Sequence, residues 1–282
     1  MLDQLFDELA RHGSHLSASQ LDTIRLRLAD LVNYQAVVGV LGKSGVGKST
    51  LCNALFGRDV VEVDAVWGCT RCPQEINLAY RDGRGLSLID VPGLGESEAK
   101  DAEYRVLYSR LLPELDLVLW LVKADDRALG IDLAFYQRVL QPHLAERGLP
   151  LVFVISHADK IDPCEEWDRL HVQPGVGQAR HLAAKREQLA RLFQHPLPRI
   201  CVVSATTGYG LVPLMETLIR ALPPARQWSL AREARPEHVS PQARRESEQG
   251  LWDGIKALFR ELVEEGTAWL GQVLARLGQR FF

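Results

Sequence analysis

The sequence is short of several features that mark special classes of protein. Cysteine is scarce, with five in 282 residues, an odd number spread along the chain. A disulfide framework is therefore not expected, and a reducing compartment suits the chain better. An excess of one charge is also missing. Lys plus Arg number 33 and Asp plus Glu 36, for a formal net charge of −3. Net charge thus gives no sign of a nucleic-acid footprint, although it is compatible with a local basic patch. Long apolar runs are absent too. Leu115–Val122, broken by Asp116, and Leu149–Ile155 are the longest, well short of the roughly 20 residues that cross a bilayer. Met1–Leu5 has no basic stretch, so a secretory signal is not expected. The eight histidines show no ligand spacing such as H-E-x-x-H. What is present is ordinary: 46% hydrophobic and 24% charged residues, in a chain long enough to bury a full core. Collagen-like, mucin-like and wholly disordered classes are excluded. A soluble cytoplasmic protein is expected, with one large domain or one domain plus an accessory part.

Apolar spacing outlines the organisation. Leu2, Leu5, Phe6 and Leu9, then Leu21, Ile24, Leu28 and Leu31, predict two amphipathic helices either side of Gly13-Ser14, the second capped near Ser17 or Ser19. Ala36–Leu41 is a short β-branched run that leads into a glycine-rich loop, and Thr50–Phe56 reads as helix. Residues 58–72 lack periodicity and read as a long loop. Gln74–Tyr80 and Leu86–Ile89 read as strands. The Arg81-Asp82-Gly83-Arg84-Gly85 stretch between them has hairpin chemistry, which makes the pair antiparallel. Strands at Leu117–Val122, Leu151–Ile155 and Ile200–Val203 then alternate with helices at Ala102–Leu112, Asp132–Glu146, Gln178–Phe193 and Leu211–Leu222. Such alternation predicts an α/β fold of three layers, with a mostly parallel sheet, one antiparallel edge strand and helices on both faces.

Pro223-Pro224 closes that unit. Residues 225–250 are rich in Arg, Glu, Ser, Gln and Pro and read as a solvated, partly disordered linker. Helical periodicity returns with Trp252, Ile255, Leu258, Phe259 and Leu262. The expected organisation is a helical segment over 1–33, an α/β domain over 34–222, a polar linker over 223–250 and an amphipathic helix over 251–282.

The loop Gly42-Lys43-Ser44-Gly45-Val46-Gly47-Lys48-Ser49 matches G-x-x-x-x-G-K-[ST], after a predicted strand and opening a predicted helix. Glycines there let backbone N–H groups approach phosphate oxygens, and the helix N-terminus adds a favourable dipole. Gly42, Ser44, Gly45, Val46, Gly47 and Thr50 are thus candidate phosphate contacts. Lys48 is placed to neutralise the β- and γ-phosphates, and Ser49 to ligate Mg²⁺. In Leu88-Ile89-Asp90-Val91-Pro92-Gly93, the Asp90 carboxylate can hold Mg²⁺ through water and the Gly93 N–H can reach a γ-phosphate. Thr70, in Cys69-Thr70-Arg71, can complete the Mg²⁺ shell and orient the attacking water. Asp159, after a buried strand, can accept from both N1–H and N2–H₂ of guanine, a donor pair that adenine lacks. The backbone of Ser204-Ala205 can contact the base carbonyl.

The P-loop, Thr70, Asp90-x-x-Gly93, Ser156-His157-Ala158-Asp159 and Ser204-Ala205 follow the order and spacing of the five G-motifs. Over about residues 34–222 the chain resembles an Era-like P-loop GTPase of the TrmE-Era branch. Val122-Lys123-Ala124-Asp125-Asp126-Arg127-Ala128-Leu129 is similar to the bacterial YfjP-like GTPases. The resemblance implies a GTP/GDP ligand with Mg²⁺ held by Ser49, Thr70 and Asp90, and catalytic roles for Lys48, Thr70 and Gly93. It also implies base contacts by Ser156, His157 and Asp159. Two departures matter. The family's Asn/Thr-Lys-x-Asp reads Ser156-His157-Ala158-Asp159 here, a shorter tether with a ring in place of the lysine stem. Leu94 stands where Ras-like proteins carry a water-orienting glutamine, so slow hydrolysis is expected. Gly45 stands where potassium-using relatives carry Asn, so potassium dependence is not expected.

Other residues invite weaker readings. Cys69-x-x-Cys72 has metal or redox spacing but no second pair. Arg71 reads as a solvated switch residue before an arginine finger, and Glu96 and Glu98 as a solvated acidic loop before water-positioning groups. Asp125 and Asp126 read as helix caps first and active-site support second. The expected function is a Mg²⁺-dependent GTP switch with slow turnover, its terminal helices contacting a protein partner or a second copy. Ribosome association follows by analogy alone. Membrane contact through the C-terminal helix stays open, although its mixed-charge face favours packing on the amino-terminal helices. Two rivals stay open on sequence alone: a P-loop ATPase or kinase, and a nucleotide-gated membrane or ribosome scaffold with negligible turnover.

Overall fold

The structure, a computed structural model, describes residues 17–43, 45–57, 60–63, 77–80, 87–90 and 112–262. Helix α1 (Ala18–Val32) starts at Ser17, the first of the two expected caps. Ser17 Oγ accepts from the Gln20 N–H at 3.2 Å, and Gln20 Oε1 accepts from the Ser17 N–H at 2.9 Å. That reciprocal pair satisfies two donors which a helix start leaves open. Ile24, Leu28 and Val32 form its buried stripe. The chain continues through β1 (Val37–Leu41), α2 (Lys48–Phe56), β2 (Val60–Val63), β3 (Asn77–Tyr80), β4 (Ser87–Asp90) and β5 (Leu117–Lys123). Next come α3 (Gly130–Phe135), a π-helical turn at Tyr136–Leu140, α4 (Gln141–Arg147), β6 (Leu151–Ser156), α5 (Val176–Leu192), β7 (Ile200–Val202) and α6 (Leu211–Ala221). Two further helices, α7 (Pro224–Glu233) and α8 (Pro241–Leu262), complete the described chain.

The seven strands form one sheet in the order β2-β3-β4-β1-β5-β6-β7. β4, β1, β5, β6 and β7 run parallel, and β3 is antiparallel to both its neighbours. The expected hairpin pair is present, with Asn77 opposite Ile89 and Leu78 opposite Leu88. The antiparallel strand is nevertheless one place in from the edge. The edge is β2, in a stretch whose sequence reads as loop, because four residues with Glu62 among three valines are too few to establish a period.

Alternation along β5 divides the core. Leu117, Leu119 and Leu121 join Leu51 and Leu55 of α2 and Leu214, Met215 and Leu218 of α6 on one face. Val118, Trp120 and Val122 face the other way, toward Phe135, Tyr136, Leu182, Leu189 and Phe193. A strand buried on both faces explains the unbroken apolar run that its sequence shows.

Residues 223–250 correct the sequence reading. They carry α7, a 3-10 turn at Pro236–His238 and the first part of α8. Leu230, Ala231, Ala234, Val239 and Ala243 are buried in the same core as the sheet. The stretch reads as a linker because alanines do much of this packing among many Arg and Glu residues, several of them, such as Arg232 and Glu233, only half-buried. Gly250 allows the two helices to touch: a Cβ there would lie 2.3 Å from the Pro224 carbonyl oxygen. α8 also returns to α1, where Arg27 pairs with Glu261 at 2.7 Å. Leu251, Trp252, Ile255 and Phe259 are buried, so over these residues the amphipathic face is used inside the protein. Among the described residues no helix is long and apolar enough to cross a membrane. The expected helices near residues 2–9 and 102–111, and residues 263–282, lie outside the described residues.

Candidate functional site

β1 ends at Leu41, and α2 begins at Lys48. Gly47 caps α2 with φ of 89°, a left-handed conformation that favours glycine. A Cβ there would also come 3.1 Å from His157 Cε1. Gly42, Gly45 and Val46 lie in the intervening loop. Lys48 Nζ donates to the carbonyls of Gly42 at 2.8 Å and Lys43 at 3.2 Å, which holds its ammonium over the loop. Ser49 and Thr50 are exposed in the first helical turn, where backbone N–H groups have no intrahelical acceptor.

The turn after β6 lies directly on this loop. Ser156 is buried, and its Oγ donates to the Val46 carbonyl at 2.8 Å. Serine, though shorter than the family's asparagine, therefore still reaches. His157 Nδ1 lies 3.0 Å from the same Oγ. The one hydroxyl proton is used on Val46, so the oxygen accepts from Nδ1–H. Burial, then the charges of Lys160 and Lys123, push the His157 pKa below its ordinary value, against the opposite pull of Asp159 and Asp125. The ring is neutral near pH 7. His157 itself has φ of 56°, and Asp159 follows in a 3-10 turn. Asp159 Oδ1 is buried without a hydrogen-bond partner among the described residues. Such an atom is costly unless something else donates to it.

The Ala158 N–H donates to Val203 O at 3.1 Å, tying this turn to the end of β7. There Ser204 is fully buried, and Ala205 half-buried. Asp159, Lys160, Trp167, Arg169 and Thr207 line one cavity of about 680 Å³. Trp167 is held edge-on to Tyr209, with centroids 5.5 Å apart. The structure therefore brings together the phosphate loop, Lys48, Ser156, His157 and Asp159, with Ser204 and Ala205 alongside. Asp90 ends β4 in register with Val40, two residues before Gly42. Its backbone is at the loop's edge of the sheet. Ser49 and Asp90 offer hard oxygen donors, the kind that suits Mg²⁺. Ser44, Thr70, Gly93, Cys69, Arg71, Cys72, Leu94, Glu96 and Glu98 lie outside the described residues.

Neither Asp125 nor Asp126 caps a helix, because α3 begins at Gly130 behind Leu129 with no side-chain cap; Asp126 closes a turn and holds a lysine. Its Oδ1 accepts from the Ala128 N–H at 2.9 Å, and its Oδ2 pairs with Lys43 Nζ at 2.7 Å. Sequence reasoning missed Lys43 and Asp132 in this contact, and Trp167 in the cavity wall. Neither contact has a local sequence signal, because each joins residues distant along the chain.

Residues 37–157 match the family described as 50S ribosome-binding GTPase. The chain is 44% identical over 197 residues to the uncharacterized protein YkfA of Escherichia coli (strain K12), covering 70% of this chain and 66% of that protein. It is 39% identical over 202 residues to the uncharacterized protein YfjP of the same strain, covering 72% and 67%. To GTPase Era of Aquifex aeolicus (strain VF5) it is 27% identical over 198 residues, covering 66% and 56%. The chain thus spans about two thirds of the length of the two Escherichia coli relatives.

Proposed function

The chain belongs to the YfjP-like group of Era-like P-loop GTPases, and from that premise we propose that it is a Mg²⁺-dependent GTP switch with slow hydrolysis to GDP and phosphate. One observation carries the reading. The Ser156–Asp159 turn is fastened to the phosphate loop, and it presents a buried carboxylate oxygen with no hydrogen-bond partner among the described residues. Guanine's N1–H and N2–H₂ would satisfy that carboxylate; adenine has no such pair. The neutral His157 ring supplies a flat apolar face beside Gly47, as the stem of the family's lysine would. Ser204 and Ala205 stand by for the base carbonyl.

At the other end, Gly42, Ser44, Gly45, Val46, Gly47 and Thr50 offer backbone N–H groups to phosphate oxygens. Lys48 exchanges loop carbonyls for the β- and γ-phosphates. Ser49, Asp90 and Thr70 would hold Mg²⁺, which supplies charge neutralisation between the phosphates. Thr70 and Gly93 would sense the γ-phosphate. Leu94 cannot hydrogen-bond water, so unassisted hydrolysis is slow. The exposed sides of the terminal helices α1 and α8 would contact a protein partner or a second copy. The family's description brings in the ribosome as one candidate partner.

Competition of GTP, GDP and ATP against fluorescent GDP, with Mg²⁺ and with EDTA, tests the reading. GTP and GDP should bind at least about 100-fold tighter than ATP. EDTA should weaken GTP, and single-turnover phosphate release should be slow without a partner. Equal affinity for GTP and ATP would sink the proposal.

A further inference from the structure

The residue after Gly42 carries a cation gripped by the wall of the site. Lys43 Nζ lies 2.7 Å from Asp126 Oδ2, 2.8 Å from Asp132 Oδ2 and 2.7 Å from the Ala128 carbonyl oxygen. Asp126 Oδ2 and the Ala128 carbonyl accept hydrogen bonds from this ammonium, and Asp132 Oδ2, which accepts no hydrogen bond among the described residues, is held beside it as an ion pair. The main chain of Lys43, by contrast, belongs to the phosphate cradle. Its carbonyl accepts from Lys48 Nζ at 3.2 Å and from the Val46 N–H at 3.4 Å. The side chain therefore fastens to the wall the same residue whose backbone supports the phosphate-neutralising lysine.

The wall is itself braced. Asp126 holds the Ala128 N–H, and the Asp126 carbonyl accepts from Lys185 of α5. Gln178 on the same helix is fully buried and donates to Ile161 O at 2.9 Å, just past the Asp159 turn. One helix thus steadies both the anchor of the phosphate loop and the turn on the base side. Gly42, Gly45 and Gly47 all have positive φ, a conformation that only glycine adopts at little cost, so the loop's path depends on contacts that hold it there.

We propose that Asp126 and Asp132 are positioning residues for the phosphate loop. By gripping Lys43 they fix the carbonyls on which Lys48 rests, and so set how well the loop receives the β- and γ-phosphates. The inference rests on the reading of this loop as a guanine-nucleotide site. Functional groups must be held to within about 0.5 Å by the side chains behind them, and this contact adds a side-chain anchor to the loop's own hydrogen bonds.

The test compares the full chain with Asp126→Asn, Asp132→Asn and Asp126→Glu for binding of GTP, GDP and GMP. Asparagine keeps the shape of aspartate and removes its charge. In each Asn variant, GTP and GDP affinity should fall about tenfold while GMP changes less than about twofold, because the misplaced lysine serves the outer phosphates. Asp126→Glu should recover most of the loss, and melting temperatures should stay close to the parent. A merely structural role would weaken all three nucleotides alike, and that result overturns the proposal. So does unchanged GTP and GDP affinity in both Asn variants. Asp132 is the more buried of the two, and if its variant fails to fold, Asp126→Asn alone decides. A parent chain that binds no guanine nucleotide overturns the reading of the site, and the inference with it.

Discussion

Replacing Asp116 by alanine should loosen the helical unit from the sheet. Asp116 immediately precedes β5. Its Oδ1 accepts from Tyr34 Oη–H at 2.6 Å and from Arg226 Nη1 at 2.5 Å, and its Oδ2 accepts from the Val37 N–H at 2.8 Å. The carboxylate thus joins the first residue of β1, the connection from α1 and helix α7. Its side chain is 6% exposed, whereas Arg226 is 47% exposed. The Arg226 pair is therefore screened and worth under about 1 kcal/mol. The other two bonds, each to a charged acceptor, are worth roughly 1.5–3 kcal/mol. Truncation also strands a backbone N–H and a phenol without an acceptor. The expected loss is about 3–5 kcal/mol, against a total stability on the order of 5–15 kcal/mol. Asp116→Asn should lose less, because its one oxygen still serves part of the set while its NH₂ faces a donor. Urea denaturation followed by circular dichroism measures both. A loss below about 1 kcal/mol in the alanine variant would refute the reasoning. Tyr34 gives a second reading of the same cluster. Burial, then the bond to Asp116, raise its pKa to about 12. An unfolded tyrosine ionises near pH 10 while the folded one resists. The contribution is therefore complete below pH 10 and lost as pH rises from there through about 12. Tyr34→Phe should remove that alkaline loss.

Gly250→Ala should destabilise by roughly 1–3 kcal/mol, because a Cβ must push α8 off the Pro224 carbonyl. A change within about 0.5 kcal/mol in urea unfolding would show that the helices separate freely. His157 has a lowered pKa in the folded chain, chiefly through burial. Its neutral form is favoured, so its contribution is present above about pH 6.5 and lost as pH falls through the lower folded value. NMR titration should place the ring below its ordinary pKa, and His157→Gln should flatten acid destabilisation. A ring that titrates above pH 6.5 would contradict the assigned surroundings.

The phosphate loop and the central strands were legible because their signals are local. A glycine pattern between a β-branched run and a helix defines its own geometry, and β5 and β6 show buried strands as unbroken apolar runs. The base-side turn was legible as Ser156–Asp159, but whether serine could reach the loop depended on its 2.8 Å contact with Val46. Less was legible where packing uses small residues. Ala231, Ala234 and Ala243 bury their methyl groups in the core, yet alanine among charged residues carries little hydropathy. Residues 223–250 therefore read as solvated. Lys43 and Asp126 meet across 83 residues, and only the parallel order of β1 and β5 brings them together. The spacing suggests a helix cap for Asp126, yet the next helix starts at Gly130 without a side-chain cap, and Asp126 instead closes a turn on the Ala128 N–H while its second oxygen makes the contact that spacing could not reveal.

The central claim is that one carboxylate, Asp159, selects the purine held beside Lys48. Its most direct measurement is the affinity of GTP, ATP and XTP for the parent chain and for Asp159→Asn. The parent should bind GTP far more tightly than the other two. In the variant, an amide donor replaces one acceptor and should face the C2 oxygen of xanthine, so that XTP overtakes GTP. If GTP and XTP keep their parental order in the folded variant, the base is recognised elsewhere and the account fails.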